Sequence, residues 1–362
     1  MILDQHIDKQ LRRGRGAITN QTSRYDLDRA PVDDGWDIPE VRPTPVRTRI
    51  ERDRSRKIIT RNNSPDIAFD RSINPYRGCE HGCIYCFARP THAYLGLSPG
   101  LDFETRLFVK NGAAQLLEAE LSKPGYEPKP IALGTSTDPY QPIDQRLEIT
   151  RQLLEVLDRF NHPVVIVTKG ATLIRRDIDI LASMARRGLA QVAISVTTLD
   201  AGLSRMMEPR AAAPLKRLET ITLLSEAGIP VSALMAPIIP ALNDHEIEPL
   251  LERVANAGAS QASYVLLRLP LEIKSLFREW LEENVPDRAS RVMALVRSMR
   301  GGKDYDTRWF TRQIGSGPYA DLIAQRFRLA KRRNGLADRD WDLNLDHFAV
   351  PPRPGDQLQL FS

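Results

Sequence analysis

Short apolar runs alternate with longer segments of helical period over most of the chain. From Ile73 onward the apolar runs have strand character, and the segments between them repeat apolar residues at helical spacing, as at Leu153, Leu154 and Leu157. This alternation is typical of β–α units around a parallel sheet. The predicted strands are Ile73 to Tyr76, Ile131 to Thr135, Val164 to Thr168, Val192 to Val196, Val231 to Met235 and Ser263 to Leu267. Helices are predicted over Pro214 to Ala227, Glu246 to Ala257, Leu271 to Met299 and Ala320 to Arg333.

Six β–α units favour an α/β fold built as a partial (β/α)6 TIM-like barrel. A closed barrel has about eight such units, whereas spacing alone leaves a doubly wound open sheet as the alternative. In either arrangement the functional side chains are expected at the carboxyl ends of the strands.

The segments that flank this core differ from it in composition. Residues 1–61 are rich in Arg, Asp and Pro and lack sustained periodicity, so they are predicted to form a basic, largely irregular N-terminal arm. The barrel core is assigned to residues 62–300. Residues 301–362 are predicted to form a C-terminal helix and a Pro-rich extended tail.

The charge balance permits contact with nucleic acid without requiring it. The chain of 362 residues has a net charge of +5 and a pI near 9.1. Basic residues concentrate in two runs, Arg42 to Arg61 and Arg326 to Arg333. Both runs could meet phosphates, and a solvated arm with a solvated helix face explains them equally well.

The expected location is the cytoplasm, with no membrane partner. No apolar stretch in the sequence reaches the length of about 18 residues that a membrane span requires, and the first residues lack the apolar region of a signal peptide. Three cysteines in a chain this long cannot form a disulfide framework, and their confinement to one short segment indicates a reducing compartment and a metal.

Cys79, Cys83 and Cys86 lie within eight residues, directly after the first predicted strand. Three thiolates bind three irons of a [4Fe–4S] cube and leave the fourth iron without a protein ligand. S-adenosylmethionine (SAM) can chelate that iron, so that an electron from the cluster cleaves SAM and releases a 5′-deoxyadenosyl radical. The alternative is a structural zinc site, for which His81 or His92 would supply the fourth ligand.

The spacing Cys79-x3-Cys83-x2-Cys86, with Tyr85 before the last cysteine, resembles the signature of the radical SAM superfamily. The segments Asn74 to Cys79 and Thr137 to Pro142 resemble the branch that includes spore photoproduct lyase and uncharacterised bacterial relatives described as DNA repair photolyase-like. The resemblance covers about Ile73 to Pro270. It implies a partial TIM barrel, which agrees with the six predicted units.

The resemblance also implies contacts with SAM. It places Tyr85 beside the adenine, and Gly134 and Thr135 near the methionyl amino group, where a small residue lets the backbone approach. Lys169 is implied to bind the methionyl carboxylate and Ser195 the ribose hydroxyls. A Lys or Ser at a strand end also occurs as a helix cap or in contact with solvent.

Three further residues are weaker candidates. Glu208 and Arg210 are assigned to the same SAM pocket. Spore photoproduct lyase uses an additional cysteine as hydrogen donor, and this chain has no fourth cysteine. Tyr140 is the candidate catalytic donor in its place, with return of the hydrogen from 5′-deoxyadenosine as the alternative.

The function predicted from the sequence is that of a radical SAM enzyme acting on nucleic acid, in repair or modification, with an electron donor such as flavodoxin or ferredoxin as partner. The terminal Gln357 to Phe361 resembles the peptide that docks bacterial repair proteins on the sliding clamp, or it is a tail that folds back on the barrel. Two alternatives stay open: an enzyme acting on a protein or small metabolite, and a non-enzymatic iron–sulfur sensor that binds DNA.

Overall fold

A computed structural model describes residues 7–25, 47–338, 340 and 342–352. Its strands are β1 (Arg49–Arg52), β2 (Ile59–Arg61), β3 (Arg71–Ile73), β4 (Tyr76–Arg77), β5 (Arg106–Val109), β6 (Ile131–Leu133), β7 (Val164–Thr168), β8 (Ala190–Ser195), β9 (Val231–Ile238) and β10 (Gln261–Leu266).

The central sheet has seven strands in the order β10-β9-β8-β7-β6-β3-β2. Six of them are parallel, and β2 is antiparallel at one edge. The parallel strands follow chain order without reversal, which excludes the doubly wound alternative. In the described part of the chain β2 and β10 are the two edges and do not pair, so the barrel is open. The predicted partial (β/α)6 barrel is therefore confirmed.

The helices are α1 (Leu101–Thr105), α2 (Ala113–Leu121), α3 (Asp144–Leu147), α4 (Ile149–Arg159), α5 (Ala171–Ile174), α6 (Ile178–Arg186), α7 (Ala201–Met207), α8 (Pro214–Glu226), α9 (Ile247–Asn256), α10 (Ile273–Asn284), α11 (Pro286–Ser298), α12 (Thr311–Ile314) and α13 (Pro318–Arg333). In α4 the residues Leu153, Leu154 and Leu157 are fully buried, as their spacing predicts. The single helix expected over 271–299 is two helices, because Pro286 starts a new one and cannot donate the hydrogen bond that would continue α10.

The first predicted strand is also two strands. β3 ends at Ile73, and β4 pairs with β5 in a separate three-stranded sheet with the order β1-β5-β4. Pro75 lies between them and has no N–H for a ladder hydrogen bond. Asn74 Oδ1 instead accepts hydrogen bonds from the backbone N–H groups of Ser136 and Thr137, at 2.8 and 3.2 Å.

The arm is less irregular than predicted. Within residues 1–61, β1 pairs with β5 and β2 pairs with β3. Both are short strands with mixed charged and apolar residues, and their pairing partners lie outside the arm, so the local pattern carried no strand signal. The tail from Gln357 to Phe361 lies outside the described residues. No described helix combines the length and apolar character needed to cross a membrane.

Candidate active site

The three cysteines lie in the loop that follows β4, which we call the cysteine loop (residues 78–87). All three thiols are free, with Cys79 and Cys83 buried and Cys86 partly exposed. Burial and the Asp138 carboxylate raise the pKa of the Cys79 thiol well above its ordinary value, and burial likewise raises the pKa of Cys83. Buried thiols ionise readily only against a strong positive charge, and iron provides one. The residues therefore fit an iron–sulfur cluster.

The two histidines considered as a fourth zinc ligand have other partners. His81 Nδ1 lies 3.3 Å from Asp138 Oδ2, and His92 Nε2 lies 2.9 Å from the Arg106 carbonyl oxygen. Burial lowers the pKa of His92 to about 4. Within residues 7–25 and 47–338, no group of three Cys, His, Asp or Glu side chains is close enough together to hold a single metal ion.

Arg89 anchors the cysteine loop from inside the protein. Its Nε donates to the Cys83 carbonyl at 2.9 Å and its Nη1 to the Gly100 carbonyl at 2.9 Å. Its Nη2 forms an ion pair of 2.5 Å with Glu104, and both side chains are fully buried. Neither residue was among the predicted site residues, because an isolated Arg or Glu without periodic neighbours gives no sequence signal.

An N-terminal segment covers the same loop. Glu104 accepts hydrogen bonds from the backbone N–H groups of Gly16 and Ala17, at 2.9 and 2.8 Å. A Cβ on Gly16 would lie 1.8 Å from the Gly82 carbonyl oxygen, so only glycine allows this approach. Ala17 and Ile18 are buried in the apolar cluster that contains Cys83 and Tyr85. Part of the predicted arm is thus a wall of the site.

Lys169 follows β7 and faces the cysteine loop. Its backbone N–H donates to Asp138 Oδ2 at 2.7 Å, and its Nζ lies 5.8 Å from the centroid of the Tyr85 ring. No described carboxylate lies within ion-pair distance of Nζ. Burial would raise the pKa of Asp138, but His81 and the hydrogen bonds from Lys169 and Thr168 outweigh it and lower this pKa to about 2. With no described carboxylate partner, Lys169 Nζ is available to an anion beside the Tyr85 ring.

Glu208 connects Tyr85 to the end of β8 through a buried network. Tyr85 Oη donates to Glu208, Thr197 Oγ1 donates to Glu208 at 2.7 Å, and Arg217 forms an ion pair with it. Arg217 Nη1 also donates to the Ser195 carbonyl at 3.0 Å. Because both oxygens of Glu208 have protein partners, its geometry fits the positioning of Tyr85. Arg217 lies on α8, far along the chain from the cysteine loop, and was not predicted.

The remaining predicted residues are placed as follows. Ser195 is buried at the end of β8, and Thr135 is half-buried after β6. Gly134 has φ +92°, and a Cβ there would lie 2.3 Å from the Val167 carbonyl oxygen, so the close approach of β7 requires the glycine. Arg210 pairs with Glu80 at 3.0 Å and its backbone N–H donates to the His81 carbonyl, so it holds the cysteine loop from the α7 side.

Tyr140 occupies a different environment. It is fully buried, and it packs in the apolar core between sheet and helices rather than in the cluster that holds Cys83 and Tyr85. Burial and the Asp177 carboxylate raise its pKa well above the ordinary value. The structure therefore places Lys169, Glu208 and Arg210 around the cysteine loop, in which Tyr85 lies. It leaves the Tyr140 side chain apart from that loop.

Comparison with known proteins shows the family to which the chain belongs. Residues 73–254 match the radical SAM superfamily, and the chain belongs to it. It is an enzyme of this superfamily, whose members use a [4Fe–4S] cluster and SAM and need an electron donor. The resemblance stated from the cysteine spacing is thereby confirmed.

Two relatives and one solved structure can be compared with this chain in more detail. An uncharacterised protein of Mycobacterium tuberculosis is 38% identical over 237 residues, which are 65% of this chain and 69% of the relative. An uncharacterised protein of Methanocaldococcus jannaschii is 26% identical over 215 residues, 59% of this chain and 76% of that one. Spore photoproduct lyase complexed with dinucleoside spore photoproduct matches with a TM-score of 0.56 and 14% identity, covering 79% of this chain and 80% of the lyase. That match establishes a shared fold.

Proposed function

We propose that Cys79, Cys83 and Cys86 hold a [4Fe–4S] cluster beside a SAM pocket and that the enzyme acts on a nucleic acid. The observation that carries the first part is the position of Lys169, a cation without a described carboxylate partner, beside the Tyr85 ring of the cysteine loop. When bound and reduced, the cluster supplies the electron for reductive cleavage of SAM.

The protein residues divide into binding and positioning groups. Lys169 binds the methionyl carboxylate as a point charge, and the Tyr85 ring lies beside the adenine. Gly134 and Thr135 offer backbone groups to the methionyl amino group, and Ser195 offers its hydroxyl to the ribose. Glu208 and Arg210 act as positioning residues, because Glu208 fixes Tyr85 and Arg210 fixes the cysteine loop through Glu80.

The nucleic-acid substrate is supported by charge and by fold. The chain has a net charge of +5, and a structure of similar fold is spore photoproduct lyase with a dinucleoside photoproduct bound. Flavodoxin or ferredoxin is the proposed electron donor. The surroundings of Tyr140 give no support to a role as hydrogen donor, which leaves return of the hydrogen from 5′-deoxyadenosine as the preferred route.

The SAM pocket is tested by Lys169→Met and Lys169→Arg. The proteins are reconstituted anaerobically, and 5′-deoxyadenosine formation under dithionite is measured against SAM concentration. Lys169→Met should raise the KM for SAM about tenfold or more, because a charge-assisted contact is lost, while iron content stays unchanged. Lys169→Arg should restore part of the affinity for SAM. The control is Lys129→Met, an exposed lysine paired with Asp70. Equal KM values for all variants would contradict the pocket.

The substrate is tested by binding of the reconstituted protein to single-stranded and duplex DNA and RNA at several salt concentrations. A nucleic-acid enzyme should bind with an affinity that falls steeply as salt rises. SAM cleavage without nucleic-acid binding at low salt would favour a protein or small-metabolite substrate. Nucleic-acid binding with no 5′-deoxyadenosine under any reductant would favour the iron–sulfur sensor.

A further inference from the structure

Arg268 is a partly buried cation at the open edge of the barrel. It follows β10, the last parallel strand, and its Nη2 donates to the Tyr305 hydroxyl at 3.3 Å. Its Nε is buried and has no hydrogen-bond partner among the described residues. No carboxylate in the described ranges forms an ion pair with it. The charge of this partly exposed guanidinium therefore meets only a neutral hydroxyl within the described ranges, so its Nη groups are suited to an external anion.

A second guanidinium strengthens the positive potential at this place. Arg300 is almost fully buried, and it donates to the carbonyls of Thr311 and Leu267 at 2.6 and 2.9 Å. Burial and the nearby charge of Arg268 lower the pKa of Arg300 to about 10. The neighbouring Asp306 carboxylate is already bound by Arg308. Neutral carbonyls therefore satisfy the hydrogen bonds of Arg300 without cancelling its charge.

An exposed aromatic ring at the end of the cysteine loop lies beside Arg268. Phe87 directly follows Cys86, and its side chain is 46% exposed. The Arg268 guanidinium carbon lies 5.2 Å from the centroid of the Phe87 ring, so one face of the ring is occupied by a cation. Much of the remaining ring surface is open to solvent. Aromatic rings beside cationic side chains are where unstacked bases of single strands bind.

We propose that Arg268 and Tyr305 bind a backbone phosphate of a single nucleic-acid strand, with a neighbouring base stacked on Phe87. The inference rests on the proposed function and adds a substrate subsite to it. The Arg268 guanidinium can bind a phosphodiester through its two Nη groups, while the Tyr305 hydroxyl donates to another oxygen of the same phosphate. Because Phe87 adjoins Cys86, a strand held here passes the cysteine loop.

The test measures the affinity of the reconstituted protein for a fluorescent single-stranded oligonucleotide by anisotropy, as a function of salt. Arg268→Gln should weaken binding about tenfold and reduce the slope of log affinity against log salt by about 0.7, the share of one phosphate contact. Arg268→Lys should retain most of the slope. Phe87→Leu should weaken binding without changing the slope, because it removes stacking and no charge. Arg278→Gln, which changes a partly exposed arginine paired with Asp304, is the matched control and should change neither the affinity nor the slope.

The outcomes separate this subsite from the proposed function. If the wild type cleaves SAM but binds no oligonucleotide at low salt, the nucleic-acid substrate is wrong. If the wild type binds and Arg268→Gln binds with equal affinity and slope at full iron content, the subsite is wrong and the nucleic-acid function stands. A nucleoside monophosphate is the second probe. Its displacement of the oligonucleotide at low concentration would overturn the assignment to a strand.

Discussion

Glu104→Gln tests how the protein holds the cysteine loop. Glu104 receives Arg89 Nη2 and the Ala17 N–H on one oxygen and the Gly16 N–H on the other. Glutamine keeps the shape but removes the charge and turns one acceptor into a donor that faces another donor. The buried guanidinium of Arg89 is then left with neutral carbonyl oxygens alone.

The expected loss is large because the pair is fully buried. Removing one partner of a buried ion pair lowers the free energy of unfolding by about 3–5 kcal/mol. Anaerobic urea unfolding followed by circular dichroism measures this loss. Since Arg89 also holds the Cys83 carbonyl, we expect fewer irons per chain after reconstitution, measured by iron quantification.

The control is Glu118→Gln. Glu118 pairs with Arg159 on the surface, where the two side chains are 43% and 53% exposed, and its loss should lower the free energy of unfolding by less than about 1 kcal/mol. If the two variants unfold within about 1 kcal/mol of each other and carry equal iron, the buried pair does not hold the loop.

Two further predictions test the N-terminal segment that covers the cysteine loop and the burial of His162. Gly16→Ala should lower the free energy of unfolding by about 1–3 kcal/mol through overpacking and make Arg12 and Arg15 accessible to trypsin, because its Cβ would overlap the Gly82 carbonyl; a trypsin rate equal to that of the wild type would contradict this packing. Burial lowers the pKa of His162 to about 4, so the unfolded chain takes up its proton first as pH falls from about 6.5. This histidine alone should then lower stability by about 2 kcal/mol between pH 7 and pH 5, and His162→Gln should remove that part of the pH dependence; an unchanged pH profile would contradict its burial as a neutral ring.

The strands could be predicted from sequence because each is an apolar run of its own. Ile166, for example, is fully buried, and its neighbours Val165 and Val167 are apolar as well. The end of a parallel strand also fixed where Lys169 had to be, so its position near the cysteine loop followed from topology. The break at Asn74 and Pro75 could have been predicted, because a proline has no N–H for a strand ladder and argues against a continuous strand.

Some supports of the site could not be predicted, because they join residues that are far apart in the chain. Gly16 contacts Gly82, and Glu104 receives hydrogen bonds from Gly16 and Ala17. Arg217 lies closer to its partners Glu208 and Ser195, but no motif in the sequence marks these contacts. None of these contacts produces a periodic pattern. A buried arginine such as Arg89 looks in the sequence like any surface arginine.

The most direct test of the account is electron paramagnetic resonance of the reduced, reconstituted protein with and without SAM. Three sulfur ligands should give about four irons per chain, with one iron open to SAM. SAM should therefore change the spectrum, and Cys79→Ala, Cys83→Ala or Cys86→Ala should abolish the signal. A spectrum that SAM leaves unchanged, or a purified chain that carries zinc in place of iron, would contradict the assignment of the three cysteines to a cluster.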